Sequence, residues 1–288
     1  MAAIYRRELK SYFHTMIGYV IIAFLLAYTG IYFMAYNLSY GYPYFSYVLS
    51  GAVFALLIVV PMITMRSFAE EKKSRTDQLL LTAPVSLLQI VLGKYLAMVS
   101  VLAIPCVVYL IFPLIIKAQG TAYILADDLA ILVFFLLGCV YIAVGMFISS
   151  LTESQIIAAV GTFGALMILH LWSGIISFLP ASAMANVFGV ALILSLLVLG
   201  GWKMTQNWLI CTILEAAVLA GNGIVYAVKS EVYESLLANL CEKMDLVAIF
   251  NSISSNQLLD VSGLILYLTL IGFFIFLTME MIQKRRWS

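Results

Sequence analysis

The stretch RSFAEEKKSRTDQLLLTAP, residues 66–84, lies between two long apolar runs and decides how this chain is organised. Seven charged side chains fall within twelve positions of it, although only 10% of the 288 residues are charged. They are Arg66, Glu70, Glu71, Lys72, Lys73, Arg75 and Asp77. Charge gathered at one connection between apolar runs predicts that this connection contacts a soluble partner.

The composition predicts an all-α polytopic membrane protein with one transmembrane domain over residues 1–288. Hydrophobic residues make up 64% of the chain and the mean hydropathy is +1.09, which is more apolar surface than a soluble domain of this length can bury. Each spanning helix needs about 20 mostly apolar residues. By this criterion we expect about eight spans, and Pro105 and Pro113 are expected to kink or tilt the long third one. Their approximate limits are 16–36, 46–65, 88–116, 127–150, 155–178, 186–203, 207–228 and 261–282.

The distribution of basic residues predicts the topology. With the N-terminus in the cytoplasm and eight spans, twelve Lys and Arg residues lie on the cytoplasmic side and three lie outside. The inverted topology would place the twelve outside, against the positive-inside rule. Both termini are therefore expected in the cytoplasm, and residues 66–84 are expected at the inner face, between spans 2 and 3.

Two further segments are predicted to be amphipathic. Residues 1–15 are expected to form a helix at the lipid headgroups, with Tyr5, Leu9, Tyr12, Phe13 and Met16 on one stripe and Arg6, Arg7, Glu8, Lys10, Ser11 and His14 opposite. The alternative is a cytoplasmic extension of span 1. Residues 229–260 form the longest external segment, either a helix on or dipping into the outer leaflet or a small surface for docking a partner.

The sequence contains no motif for nucleotide binding or catalysis. The only Gly-Lys pair, Gly93-Lys94, lacks the P-loop frame, because Leu88 and Tyr95 stand where the motif needs Gly and Ser or Thr. The four cysteines are scattered and are expected to be buried free thiols. We therefore expect no enzyme activity, no cofactor, no metal site and no nucleic-acid partner for this chain.

Other polar and small residues lie inside the apolar runs. Glu215, in the seventh run, is a candidate for function because a carboxylate at membrane depth is expensive. The alternative is a structural hydrogen bond, with Asn222 as the expected partner. Small residues at helical spacing predict close helix contacts in spans 4 and 5: Gly138, Gly145, Ser149, Ala158, Gly161 and Ala165.

The polar stretch also resembles a family signature. The segments RSFAEEKK from Arg66, TDQLLLTAPVS from Thr76, and the Gly93-Lys94 pair are similar to the hallmark of ABC-2 type permeases, the membrane subunits of type V ABC transporters. The LTAPVS run and the terminal Arg-Trp pair are most similar to the branches associated with gliding motility and with nitrous-oxide accessory proteins. Arg75 replaces the usual Gly, Gln78 replaces the usual Glu, and the family commonly has six spans.

The resemblance implies a permease subunit of an ATP-driven exporter in a bacterial plasma membrane. Its expected partners are a dimer of ABC ATPase subunits that binds ATP and Mg, a second permease copy or a sister permease, an extracytoplasmic auxiliary subunit and membrane lipid. Residues 1–15 would be the connecting helix and residues 67–82 the coupling helix. The ATPase contacts it implies are Glu70, Glu71, Lys72, Arg75, Thr76 and Gln78, with Leu79 and Leu80 as an apolar anchor and Glu153 as a second contact.

Two other classes of protein remain open at this point. An ion-coupled secondary transporter would need intramembrane charges and a repeat of broken helices, and Glu215 is the one candidate charge. A non-transporting membrane scaffold would use the polar stretch only to recruit soluble proteins.

Overall fold

The computed structural model describes residues 1–76, 86–205, 208–228, 233–256 and 260–287. These residues form helices and no strand, which confirms the predicted all-α class. The helices are α1 (Ala2–His14), α2 (Ile17–Phe33), α3 (Ser46–Thr64), α4 (Ala69–Lys73), α5 (Leu87–Tyr109), α6 (Ile111–Gln119), α7 (Ile124–Leu151), α8 (Gln155–His170), α9 (Trp172–Ser177), α10 (Ala183–Thr205), α11 (Trp208–Val228), α12 (Leu236–Glu242), α13 (Leu246–Asn256) and α14 (Val261–Trp287), with a π-helical segment (Met34–Ser39) after α2.

Five segments within the described residues are long and apolar enough to cross a membrane. They match predicted spans 1–4 and 8, and their bounds are Ile17–Ser39, Ser46–Lys73, Leu87–Gln119, Ile124–Leu151 and Val261–Lys284. The predicted fifth span, 155–178, is divided at Leu171 into α8 and α9. The predicted sixth and seventh spans correspond to α10 and α11, and residues 206–207 between them lie outside the described part. A count of eight spans is therefore not confirmed.

The chain forms two compact units, Met1–His170 with Leu246–Ser288, and Leu171–Asp245. In the first unit α7 is the central helix and packs against α3, α5, α8, α13 and α14. Small residues allow this packing, as predicted: a Cβ on Gly138 would lie 2.4 Å from Leu102 of α5, and one on Gly145 would lie 2.5 Å from the hydroxyl of Thr64 in α3. Shape at these contacts, rather than apolar content alone, sets which helices are neighbours.

Local sequence explains the ends of α5. Ser86 caps its start by accepting a hydrogen bond from the N–H of Gln89. The helix ends at Tyr109, and α6 begins two residues later with Pro113 in its first turn. A proline lacks an N–H, and its ring clashes with the carbonyl four residues earlier, here that of Tyr109. The long third run is therefore broken at Leu110, as its prolines predicted.

The second half of the segment 229–260 differs from a helix resting on the membrane surface. The helix α13 packs against α3, α7, α8 and α14, and Phe250 is fully buried with its ring 6.2 Å from that of Phe134. Ser254 bonds to Ser46 and Ser50 of α3. The apolar face of α13 is thus covered by protein rather than by lipid. Residues 229–232 and 257–259 of the segment lie outside the described part.

In the second unit, α10 packs against α11 and α12, and two buried asparagines hold the connections. The Asn186 amide donates to the carbonyls of Pro180 and Ser182 and accepts from the N–H of Leu237. Asn222 donates to the carbonyl of Val187 and accepts from the Tyr233 hydroxyl. Glu215 is half-buried on α11. The hydrogen bonds of Asn222 are thus formed without the expected partner Glu215.

Candidate functional site

The described part of the polar stretch, residues 66–76, contains a short helix with a defined start and end. At the start of α4, the N–H groups of Phe68 and Ala69 each donate to the Ser149 hydroxyl of α7, 3.2 Å away. At its end, the N–H of Thr76 binds the carbonyl of Glu71 at 3.0 Å, and the N–H of Arg75 binds that of Lys72 at 3.2 Å. This pair of bonds is the Schellman motif that terminates helices.

Arg75 occupies the left-handed conformation that this motif requires. Its φ is +56°, a region that glycine adopts without steric strain and that other residues adopt at a cost. The position where the family signature has Gly is therefore a helix terminator, and Arg75 performs that backbone role with a charged side chain. The structure differs here from a single coupling helix over 67–82, because the helix stops at Lys73. Residues 77–82 lie outside the described part.

Lys94 is the charged centre of this region. It lies on α5 with 2% of its side chain exposed, and its Nζ is 2.9 Å from Glu71 of α4 and 3.2 Å from Glu8 of α1. The same Nζ donates to the carbonyl of Ser67 at 2.8 Å and lies 5.2 Å from the centre of the Phe68 ring. A buried ammonium needs this many partners because it has lost its water. Lys94 therefore ties α1, α4 and α5 together.

A more exposed layer of ion pairs surrounds Lys94. Arg7 lies 3.0 Å from Glu71 and 2.9 Å from Glu8, and its hydrogen bond to Glu8 raises the pKa of its guanidinium. Arg66 binds both oxygens of Glu70, at 2.6 and 3.0 Å. Such bidentate contacts have defined geometry as well as charge. Glu71 thus has two cationic partners, whereas Glu70 pairs with one and is more open to solvent.

The N-terminal helix is clamped by this arrangement. Gly93 leaves room for it, because a Cβ there would lie 3.1 Å from Ile4. The Tyr12 hydroxyl donates to the carbonyl of Ile63 at 2.8 Å, and burial raises the pKa of Tyr12. The helix α1, Ala2–His14, lies within the predicted segment 1–15. Two residues differ from the predicted division into an apolar stripe and a polar face. Glu8, predicted on the polar face, faces α5 and binds Lys94, and Met16, predicted on the apolar stripe, lies beyond the helix with φ +59° and is exposed.

Together these residues line an open cleft of about 540 Å³. Its charged lining consists of three cations and three carboxylates, so the cleft is ionic but close to neutral. Long side chains of opposite sign at 2.6–3.2 Å can exchange partners with little displacement. The lining residues are Arg7, Glu8, Ser11, Arg66, Glu70, Glu71, Ser74, Thr76 and Lys94.

The structure separates the predicted contact residues into several groups. Arg75 and Thr76 are exposed, Glu70 is partly exposed, and Glu71 and Lys72 turn inward, with the Lys72 ammonium donating to the carbonyl of Ser150. Glu153 is exposed on the turn between α7 and α8, two helices that α4 contacts. Glu215 belongs to the other compact unit. Gln78, Leu79 and Leu80 lie outside the described residues.

Sequence reasoning missed the residue that organises the site. In the sequence, Lys94 is one of the expected cytoplasmic cations and half of the Gly-Lys pair, and Arg7 and Glu8 are members of a polar helix face. A usable signal was present: a single lysine within an apolar run must find a carboxylate. The sequence alone does not tell which of the distant carboxylates it finds.

The fold and the site define a polytopic helical membrane protein with an ionic cluster that joins three helices at one end of its spans. A family model described as ABC-2 family transporter protein matches residues 36–200, more than half of the chain. The chain belongs to this family, and it is therefore a membrane permease component of an ABC transporter, of a kind that generally works with an ABC ATPase. No curated protein matches the sequence.

Proposed function

We propose that this permease is driven by a separate ABC ATPase through α4 and the residues that follow it, and that it works as an exporter. The observation that carries the proposal is Lys94, because one buried ammonium joins α4 to both α1 and α5. Any force applied to α4 is therefore applied to the N-terminal helix α1 and, through α5, to the third apolar segment as well. ATP and Mg are bound by the partner chain, which supplies the energy that this chain has no motif to harvest.

The exposed residues at the end of α4 are the proposed ATPase contacts. Arg75 and Thr76 are exposed residues of the Schellman turn, and Glu70 is 42% exposed at its side chain. Gln78, Leu79 and Leu80 complete the contact in this proposal, with Leu79 and Leu80 as the apolar anchor. Glu153 is the second contact, because the turn that carries it follows Ser150, the residue whose carbonyl binds Lys72.

Glu71 and Lys72 have a different role in the proposal. Glu71 is 15% exposed and holds Lys94 and Arg7, so it transmits movement rather than touching the ATPase. When the ATPase pulls on α4, the Lys94–Glu71 pair and the Lys94–Glu8 pair move together or exchange with Arg7. This distinction can be tested, because contact residues and transmitting residues fail in different assays.

The remaining parts of the proposal concern the assembly. Two permease chains, either two copies or one copy with a sister permease, work with two ATPase subunits in a bacterial inner membrane, with both termini in the cytoplasm. The excess of basic residues on one side of the predicted topology supports this orientation. The LTAPVS run supports the branch associated with gliding motility and nitrous-oxide accessory proteins, in which an extracytoplasmic auxiliary subunit is expected.

The test uses the full chain, co-expressed with each ABC ATPase of the source genome that lacks its own membrane domain. We expect one of them to co-purify and to hydrolyse ATP faster in vesicles with the permease. Arg75→Gly keeps the left-handed turn but removes the guanidinium, and with Glu70→Ala it should weaken co-purification. Lys94→Met should leave co-purification intact and lower the stimulated ATPase rate, whereas Lys117→Met, an exposed lysine on α6, should change neither.

Three outcomes would contradict the proposal. No ATPase co-purifies, or the Arg75→Gly and Glu70→Ala double variant changes neither binding nor rate, or Lys94→Met behaves as Lys117→Met does.

For the alternative of ion-coupled transport, Glu215→Gln is compared with the wild type across pH. Transport that is independent of ATP and is abolished by Glu215→Gln would favour the secondary transporter.

A further inference from the structure

A ladder of aromatic rings follows one face of the first apolar segment. Phe24, Tyr28, Tyr32, Tyr36 and Tyr40 stand four residues apart, and the ring centres of successive members are 6.0, 5.0, 6.1 and 6.5 Å from each other. The ladder extends over about 24 Å of helix, at 1.5 Å per residue. In an interfacial aromatic belt the rings lie at one depth, that of the lipid headgroups. Anchoring at the interface therefore does not explain rings spread along the length of a helix.

The backbone is adjusted to keep the last rings in line. In an α-helix, residues four apart advance by about 40° at each step, so that after four steps a row has turned by about 160°. The π-helical segment Met34–Ser39 has more residues per turn and reverses this drift. On the neighbouring helix, Gly51 provides a notch for Tyr32, because a Cβ there would lie 2.6 Å from the Tyr32 ring. Two departures from regular structure thus serve the same row of rings.

The ladder ends in a cage. The chain reverses direction at Gly41, which has a φ of +70°. The Asn37 amide holds the segment that follows by donating to the carbonyls of Tyr42 and Tyr44, at 2.7 and 3.1 Å. The Tyr42 ring then stands at 61° to that of Tyr36, with 6.2 Å between their centres. The rings of Tyr32, Tyr36, Tyr40 and Tyr42 surround an open cleft of about 490 Å³ together with Ile31 and Ala35.

The aromatic lining of this cleft suits a weakly hydrated cation. None of its lining residues is charged. Aromatic faces carry partial negative charge and attract weakly hydrated cations, and rings that face a cleft from several directions are the usual receptor for quaternary ammonium groups. A primary amine is strongly hydrated, and it would need a carboxylate to replace its water. The residues that line the cage include none, so a quaternary ammonium group fits better.

We propose that the rings of Tyr32, Tyr36, Tyr40 and Tyr42 form a binding site for a quaternary ammonium group, carried by a lipid headgroup or by a free amine. The ladder from Phe24 to Tyr40 then offers the rest of such an amphiphile an apolar surface with hydroxyl groups at intervals. The site goes beyond the proposed ATPase coupling and does not depend on it, because binding is measured on the permease alone.

The experiment measures binding of radiolabelled tetramethylammonium and choline to the full chain in phosphatidylglycerol nanodiscs. We expect saturable binding that the double variant Tyr36→Leu and Tyr40→Leu weakens about ten-fold or more, and that Tyr36→Phe with Tyr40→Phe retains within about three-fold, since phenylalanine keeps the ring face. Tyr19→Leu is the matched control, an exposed tyrosine of α2 that lies outside the cage. Gel filtration and thermal unfolding identify any variant that misfolds.

Further arms distinguish the source of the group and the competing explanations. If phosphatidylcholine nanodiscs displace choline, the ligand is a lipid headgroup; if they do not, it is a free amine. Equal binding of 3,3-dimethylbutanol, the neutral analogue of choline, would show a merely apolar cleft and overturn the proposal. The same holds for tighter binding of a hexose, for no saturable binding, or for an equal loss in Tyr19→Leu.

Discussion

The two ends of α3 are both polar, but they are built from different chemistry. Beyond Thr64, the cluster around Lys94 consists of long charged side chains with several possible partners at 2.6–3.2 Å. At Ser46, the N–H donates to Asp127 at 3.0 Å, and Ser50 bonds to Ser254 at 2.5 Å. Short side chains that bind backbone groups or one another hold a single geometry, whereas ion pairs among flexible chains can rearrange. We therefore expect movement at the Lys94 end and a fixed pivot at the Ser46 end.

The largest effect should come from leaving the buried lysine unpaired. Glu8→Gln combined with Glu71→Gln removes both carboxylates from Lys94 and is expected to lower the free energy of unfolding by about 3–5 kcal/mol. Adding Lys94→Met should recover most of that loss, because the buried charge is then gone. Denaturant unfolding in detergent measures both steps. A double variant as stable as the wild type would show that Lys94 is not held as the structure indicates.

The next effect compares packing near the two ends of α3. Gly145→Ala places a methyl group 2.5 Å from the Thr64 hydroxyl and 2.9 Å from Thr162, two buried side chains that have no room to move. It should cost about 1–3 kcal/mol. Gly51→Ala should cost less, since the Tyr32 ring borders an open cleft. Gly164→Ala, with no atom within 4 Å, is the control. The reverse order in thermal unfolding would contradict this comparison.

The fixed end is tested by Asp127, which is fully buried. Asp127→Ala leaves the Ser46 N–H without its partner and should cost about 1–3 kcal/mol. Asp127→Asn keeps an acceptor and loses only the charge at the helix N-terminus, about 0.3–1 kcal/mol. Neither change should alter the coupling of ATPase rate to transport, whereas Glu71→Gln should. Uncoupling by Asp127→Asn would mean that the Ser46 end also moves.

The smallest effect concerns the end of α4. Arg75→Gly relieves a left-handed conformation and should stabilise this turn by about 1 kcal/mol or less, because glycine also gains freedom in the unfolded chain. Slower amide hydrogen exchange at Lys72–Thr76 would show it. If exchange becomes faster, the Arg75 side chain stabilises the turn more than its backbone strain weakens it, and the mobile end is more rigid than we infer.

Much of the fold could be predicted from local sequence. Apolar runs located four of the five candidate spans within about three residues, and the second with its end eight residues short. Prolines located the break at Leu110, and helical amphipathicity located α1. The insertion of α13 could not be predicted, because a mildly amphipathic segment of that length suits a membrane surface as well as a protein surface. The early end of α4 could not be predicted either. Glycine at position 75 would have indicated a helix terminus, but the residue there is Arg75.

The amino-acid sequence is enough to show that this chain is a helical membrane protein, where its charge is concentrated and which family signature it carries. These depend on composition and on residues close together in the chain. The binding of Lys94 to Glu8 and Glu71, and the arrangement of the rings from Phe24 to Tyr42 in a ladder and a cage, emerge when the helices pack together. A buried charge can be satisfied by any of several distant partners, and the one it meets depends on how closely glycines such as Gly93 allow the helices to approach.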